Sequence, residues 1–176
     1  MLLFLIGLPG SGKTTLGKQL ASILKFSFID LDKEIVRRNN LSIDEIFKQH
    51  GEPAFRQMEK EALHSLSNGT SQIVATGGGA ACFFDNMDWM NANGITLFLN
   101  PPLEELASRL SATKNTHRPM LSNLPKEETL LFLEQKIKER GPFYTQAKLQ
   151  LSLASPTVND IKVLLTNNDY NFLFTL

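Results

Sequence analysis

The sequence predicts an α/β protein, a three-layer αβα arrangement in which a largely parallel sheet is covered by helices on both faces. Three observations predict it. Five short apolar runs, Leu2–Ile6, Ser27–Leu31, Gln72–Thr76, Ile95–Leu99 and Leu149–Leu153, have the length of buried strands, and most are bounded by turn residues. Stretches with helical spacing separate them, and strands that alternate with helices in this way run parallel. No internal repeat, low-complexity tract or composition break divides the 176 residues, so a single domain over 1–176 is expected.

The elements follow in order. Leu2–Ile6 lacks a positively charged flank and runs into Gly7-Leu8-Pro9-Gly10 too soon for a membrane span or a signal peptide. Leu16, Leu20, Ile23 and Leu24 then fall at i, i+4, i+7 and i+8, one apolar helical face. Ser42 with Glu45 is a possible capping box, Gly51 a stop for that short helix, and Phe55, Met58, Ala62 and Leu66 a further stripe. Asn68-Gly69 and Asn93-Gly94 read as turns. Pro101-Pro102 suits the first turn of a helix whose Leu103, Leu106 and Leu110 face inward. Residues 112–126 are polar, contain two prolines and show no period, which marks a candidate lid. The end, 167–176, carries Phe172, Leu173, Phe174 and Leu176 but no pattern that assigns it.

Composition removes several function classes. Hydrophobic residues at 42% and charged residues at 20% exclude global disorder. Lys plus Arg and Asp plus Glu are 18 each, so no overall basic field draws the chain to nucleic acid or an anionic membrane, and an anion site must be local. The single Cys82 excludes an intrachain disulfide and a multi-cysteine zinc site and reads as a small buried hydrophobe. A cytoplasmic monomer is the expectation.

Gly7-Leu-Pro-Gly10-Ser11-Gly12-Lys13-Thr14 matches the P-loop pattern, with a strand before it and a helix after it. Its glycines let backbone N–H groups wrap a phosphate, Lys13 brings a mobile charge to the outer phosphates, and Thr14 offers a hydroxyl to magnesium. Neither an Asn-Lys-x-Asp tetrapeptide nor an Asp-x-x-Gly switch occurs, and the third run ends in Ala75-Thr76 rather than an aspartate, which disfavours a GTPase or motor. The acid appears in Asp30-Leu31-Asp32, where strand alternation sends both carboxylates to one side. One is then placed to hold the metal through water and the other to accept a hydrogen bond from an acceptor hydroxyl; the competing reading makes Asp32 the cap of a helix starting near Lys33. Arg56 and Glu59, three apart, form either a guanidinium oriented toward a planar anion or a solvent-exposed pair. Gly77-Gly78-Gly79 reads as a loop that something approaches closely, and Arg118 and Arg140 are candidate anion clamps.

Together these segments resemble the shikimate kinase family from about Leu2 to Val163. The resemblance rests on the phosphate loop at 7–15, Asp-Leu-Asp at 30–32, Ser-Ile-Asp-Glu-Ile-Phe at 42–47 and Gly-Glu-Pro-Ala-Phe-Arg-Gln-Met-Glu at 51–59. It continues through Gly-Gly-Gly-Ala at 77–80, Arg-Pro-Met-Leu at 118–121 and Arg-Gly-Pro-Phe-Tyr at 140–144. It implies a nucleoside-monophosphate-kinase-like P-loop fold with sheet order 2-3-1-4-5, and transfer of the ATP γ-phosphate to the 3-hydroxyl of shikimate. By the same resemblance Gly10, Ser11, Gly12, Lys13, Thr14 and Thr15 hold the phosphates, Arg109 and Pro156 flank the base, and Thr14 with Asp30 serves Mg2+. Asp32, Arg56, Glu59, Gly77, Gly78, Gly79 and Arg140 form the shikimate site within and beside region 33–62. Arg118 is the lid arginine that joins Lys13 and Asp32 in catalysis, and Phe47 and Phe55 supply apolar walls. Three departures stand out: Met120 in the lid motif, Ala75 where some members have serine, and a 153–156 loop without the usual arginine. The alternatives are a kinase of another small acceptor, such as gluconate or a nucleoside monophosphate, and an ATP-binding protein without catalysis.

Overall fold

A strand buried on both faces organises the molecule. The computed structural model describes residues 1–66, 69–112 and 124–174. In β1 (Leu2–Ile6) every residue is buried; Leu2, Phe4 and Ile6 enter one core and Leu3 and Leu5 the other, following the pleat. Parallel to it lie β3 (Gln72–Ala75) on one side and β4 (Gly94–Leu99) on the other. The edges are β2 (Ser27–Asp30) and β5 (Leu149–Leu151), giving the five-stranded order β2-β3-β1-β4-β5 that the family resemblance implies.

Helices cover both faces, as the alternation predicts. α1 (Lys13–Leu24) and α7 (Val158–Asn167) close the Leu3/Leu5 side. The Phe4 side is closed by α2 (Leu31–Asn39), α3 (Ile43–His64), α4 (Asn86–Asn93), α5 (Leu103–Ala112) and α6 (Lys126–Tyr144). Among the described residues no helix is long and apolar enough to cross a membrane.

Several boundaries depart from the sequence reading, each for a local reason. In α1 Leu16, Leu20 and Leu24 are buried but Ile23 is 58% exposed, because Gly17 and Ala21 complete the inward arc and Gly17 lets Phe28 and Leu5 come close. β2 stops at Asp30, which caps α2, so Leu31 and Asp32 are helical. The capping box forms as predicted, with Glu45 N–H donating to Ser42 Oγ and Ser42 N–H to Glu45 Oε2. Gly51, at φ 77° and ψ 172°, breaks α3 into two pieces, and Pro53 sits in the first turn of the second, where a missing N–H costs little. The tail is seated: a 3₁₀ turn over Asn171–Phe174 buries Leu173 in the core beneath α7.

Gly94 is the clearest correction. It is not a turn residue but the first residue of β4, paired with Leu2, and its extended backbone suits any side chain. Space is what constrains it, since a Cβ there would stand 2.4 Å from the Leu2 carbonyl oxygen. Backbone cannot swing aside as a flexible side chain does, so Gly94→Ala is expected to destabilise the fold by about 2–3 kcal/mol, read as a Tm lower by roughly 4–12 °C in a thermal melt.

Candidate active site

All five strands are parallel, so the segments that follow them gather at one edge of the sheet, where α/β folds form their ligand crevice. β1 feeds the glycine-rich loop. Gly10 and Gly12 hold positive φ, at 81° and 94°, and Gly12 is the N-cap of α1, so the loop turns sharply and ends on the positive pole of that helix. Lys13 is buried; its ammonium donates to the carbonyls of Gly7 at 2.8 Å and Leu8 at 2.9 Å and to Ser11 Oγ at 3.3 Å. The cation is thereby fixed to the loop itself.

Thr14 Oγ1 donates to Asp30 Oδ2 at 3.0 Å, while Asp30 Oδ1 accepts from Lys33 N–H at 3.3 Å. Asp30, not Asp32, is therefore the helix cap, and strand alternation does not aim Asp32. Asp32 nevertheless reaches the crevice from the first turn of α2. A hydroxyl and a carboxylate in contact fit magnesium, a hard cation that takes few protein ligands and completes its shell from phosphates and water.

Next to the phosphate loop, the three glycines after β3 each admit a different group. A Cβ on Gly77 would lie 2.8 Å from both Asp32 Oδ1 and Glu59 Oε1. One on Gly79 would lie 2.9 Å from both Nη atoms of Arg56, and one on Gly78 would lie 3.2 Å from Arg140 Nη1 and from Pro9 Cδ. Any side chain here would displace the charged groups that the tract now brings together.

Arg56 is buried and held on three sides. Nη1 donates to Glu59 Oε2 at 2.8 Å, Nε and Nη2 donate to Glu52 Oε1 at 3.1 and 3.0 Å, and the guanidinium lies 4.1 Å from the Phe83 ring centroid and 5.0 Å from that of Phe55. Glu59 is wholly buried, so the reading of this pair as solvent-exposed is overturned. Glu59 Oε1 has no hydrogen-bond partner among the described residues. Burial pushes the Glu59 pKa up to about 7; the Arg56 charge opposes that rise and the Asp32 charge adds to it. Cys82 is half-buried rather than buried, and the burial it has raises its thiol to about 11, which keeps it unreactive.

Beside the loop lies a cavity of about 380 Å³ lined by Gly10, Gly12, Thr15 and Leu16 of the loop and α1, with Gln19, Arg109, Pro156 and Thr157. Arg109 ties its walls together by donating to the carbonyls of Gly10 and Ala154 and to Glu105 Oε1. The structure thus joins Arg109 and Pro156 to the phosphate loop, and Asp32, Arg56, Glu59, Arg140 and Gly77–Gly79 to one another. Arg118 lies outside the described residues, as does most of the candidate lid.

Sequence reading missed Glu52, Phe83 and Tyr144. Glu52 precedes Arg56 by four residues and Tyr144 follows Arg140 by four, helical spacings that were there to be read. Phe83 gave no such signal, because it meets Arg56 across space after the 3₁₀ turn Ala80–Cys82.

Comparison with known proteins places the chain as a whole. The family model described as "Shikimate kinase" matches residues 9–165. A shikimate kinase of Parabacteroides distasonis is 43% identical over 166 residues, 94% of this chain and 91% of that relative. The crystal structure of shikimate kinase from Bacteroides thetaiotaomicron superposes with a TM-score of 0.86 at 37% identity, covering 98% of each chain. That of the Acinetobacter baumannii shikimate kinase in complex with shikimate gives 0.83 at 32% identity, covering 96% of this chain and 94% of that one.

Glu59 makes stability depend on pH. Its folded pKa is raised from 4.5 to about 7, so between those values the folded chain holds a proton that the unfolded chain has lost, and stability falls as pH rises. Relative to Glu59→Gln, the wild-type unfolding free energy is expected to drop by on the order of 3 kcal/mol across that window and to stay level above it, measured as urea midpoints.

Proposed function

The chain belongs to the shikimate kinase family, and from that premise we propose that it transfers the γ-phosphoryl group of ATP to the 3-hydroxyl of shikimate, giving shikimate 3-phosphate and ADP in the pathway to chorismate and aromatic amino acids. One observation carries the assignment of residues: Asp32, Glu59, Arg56 and Arg140 surround the Gly77–Gly79 tract, and Pro9 of the phosphate loop borders the same tract, within 3.2 Å of where a Cβ on Gly78 would stand. Donor and acceptor groups are therefore neighbours.

The roles follow from the chemistry. Arg56 and Arg140 bind the acceptor carboxylate, and Gly78 and Gly79 offer backbone close to the ring. Asp32 orients the hydroxyl and takes its proton as the hydroxyl oxygen bonds to the γ-phosphorus and the bond to the bridging oxygen of ADP breaks. The loop N–H groups and Lys13 cradle the phosphates as charge moves during transfer. Thr14 and Asp30 would hold Mg2+, which when bound neutralises phosphate charge. Arg109 and Pro156 take the base in the 380 Å³ cavity. Region 33–62 carries the acceptor site, and segment 112–126 acts as a lid that brings Arg118 to the transferring group. The single Cys82 and the use of ATP suit a cytoplasmic enzyme, which we take to act as a monomer.

ADP release measured with ATP and Mg2+, with and without shikimate, tests the reading; gluconate and nucleoside monophosphates serve as competing acceptors. Turnover that does not require shikimate, or that runs as well on another acceptor, contradicts it. Arg56→Ala is expected to raise the shikimate KM by about 100-fold while the ATP KM stays within about twofold; a parallel rise in both would remove Arg56 from the acceptor site. Asp32→Asn is expected to lower kcat by roughly a thousandfold with Tm unchanged, and retained turnover would leave Asp32 without a catalytic role.

A further inference from the structure

The carbonyl of Gly78 accepts two hydrogen bonds from the same helix. Arg140 Nη1 donates to it at 3.0 Å, and the hydroxyl of Tyr144, one turn further along α6, donates to it as well. Tyr144 is 1% exposed and its ring packs against Phe98 of β4 at a centroid distance of 5.0 Å, so the hydroxyl is presented by a side chain with no room to move. Burial also holds the phenol well above its ordinary pKa, so it remains a donor throughout the pH range in which proteins work. Arg140 alone would leave this contact to a long side chain with several rotamers; the second donor fixes the peptide plane.

We propose that Tyr144 is a positioning residue for the acceptor site: by clamping the Gly78 carbonyl beside Arg140 it sets the direction of the Gly79 N–H and seats the Arg140 guanidinium. The first half follows from peptide geometry. Gly78 C=O and Gly79 N–H belong to one trans peptide unit and point in opposite directions, so anchoring the carbonyl on α6 aims the amide away from α6. That amide sits on the residue whose Cα faces the Arg56 guanidinium. The second half follows from sharing. Tyr144 and Arg140 meet at one oxygen, so a change at the tyrosine reaches the arginine through the carbonyl between them. The apolar neighbours of Tyr144 call only for an aromatic ring at this position, whereas the clamp requires its hydroxyl.

This inference rests on the acceptor site proposed above. In Tyr144→Phe the ring stays packed and one hydrogen bond to Gly78 is lost. The shikimate KM is expected to rise about tenfold, with ATP KM within twofold, kcat within threefold and Tm lower by a few degrees at most. p-Aminophenylalanine at 144 restores an N–H donor on the same ring and should return the shikimate KM to within about threefold of wild type. A shikimate KM within twofold of wild type in Tyr144→Phe overturns the proposal, as does a matching rise in both KM values or failure of the amino analogue to rescue. One measurement needs no variant: shikimate titrated into 15N-labelled wild-type protein should move the Gly79 amide resonance, and an unmoved resonance also overturns it. Wild-type turnover is the separating control, since a wild-type chain inactive on shikimate refutes the acceptor assignment and not the clamp.

Discussion

The guanidinium of Arg56 is buried beside a carboxylate that is wholly buried, and the backbone opposite them has no side chains. Removing two such charges from water costs several kcal/mol per ion unless geometry compensates it. Compensation here is local: Glu59 and Glu52 accept from three of the guanidinium nitrogens, and Phe83 lies under its face. None of this fits if Gly77 or Gly79 carries a Cβ, because the Glu59 oxygen and both Nη atoms already stand within 3.0 Å of where those atoms would be. The glycine tract is thus the condition under which the charged groups can assemble, and their assembly explains three residues that would otherwise weaken the chain after β3.

Sheet order then decides what this cluster adjoins. β1 and β3 are parallel neighbours, so the phosphate loop after one and the glycine tract after the other emerge side by side, with Pro9 in the space a Gly78 side chain would need. β2 lies on the far side of β3 and delivers Asp30 to Thr14 and, two residues later, Asp32 to Gly77. The α6 helix closes the tract from the opposite side through Arg140 and Tyr144. With α3, which brings Arg56 and Glu59, four separate stretches of chain converge on one turn, which suits direct transfer between two bound molecules, where catalysis is mostly positioning.

What could be read from the sequence divides along the same physical line. β1 was legible to the residue because a strand buried on both faces is a continuous apolar run. The phosphate loop was legible because its chemistry is backbone chemistry and needs a fixed glycine spacing. Asp32 was identified for a wrong local reason: the pattern Asp-Leu-Asp fits a strand, but Asp30 caps a helix that begins one residue later. Whether Arg56–Glu59 is buried was beyond local pattern, since i, i+3 spacing is the same on a wet face and a dry one, and only the tract eighteen or more residues further along the chain decides which. Gly94 shows the same limit, for what forbids a side chain there is the carbonyl of Leu2, at the start of the sequence and distant from it along the chain.

Charge balance gives the buried acid a use in the proposed reaction. An Arg56 facing two ionised carboxylates, Glu52 and Glu59, would carry a net negative surrounding and repel a third. Burial raises the Glu59 pKa to about 7, so near neutrality its ionised and neutral forms are both populated and passing between them costs little. Its unpartnered Oε1 lies beside Asp32 Oδ1 at Gly77, where a proton would relieve repulsion between the two acids. Glu52 is more than half exposed and free to trade its contact for water. A guanidinium screened by one acid that can take up a proton and another that can swing into solvent keeps its charge for an incoming carboxylate, while both acids still hold its plane before that ligand arrives.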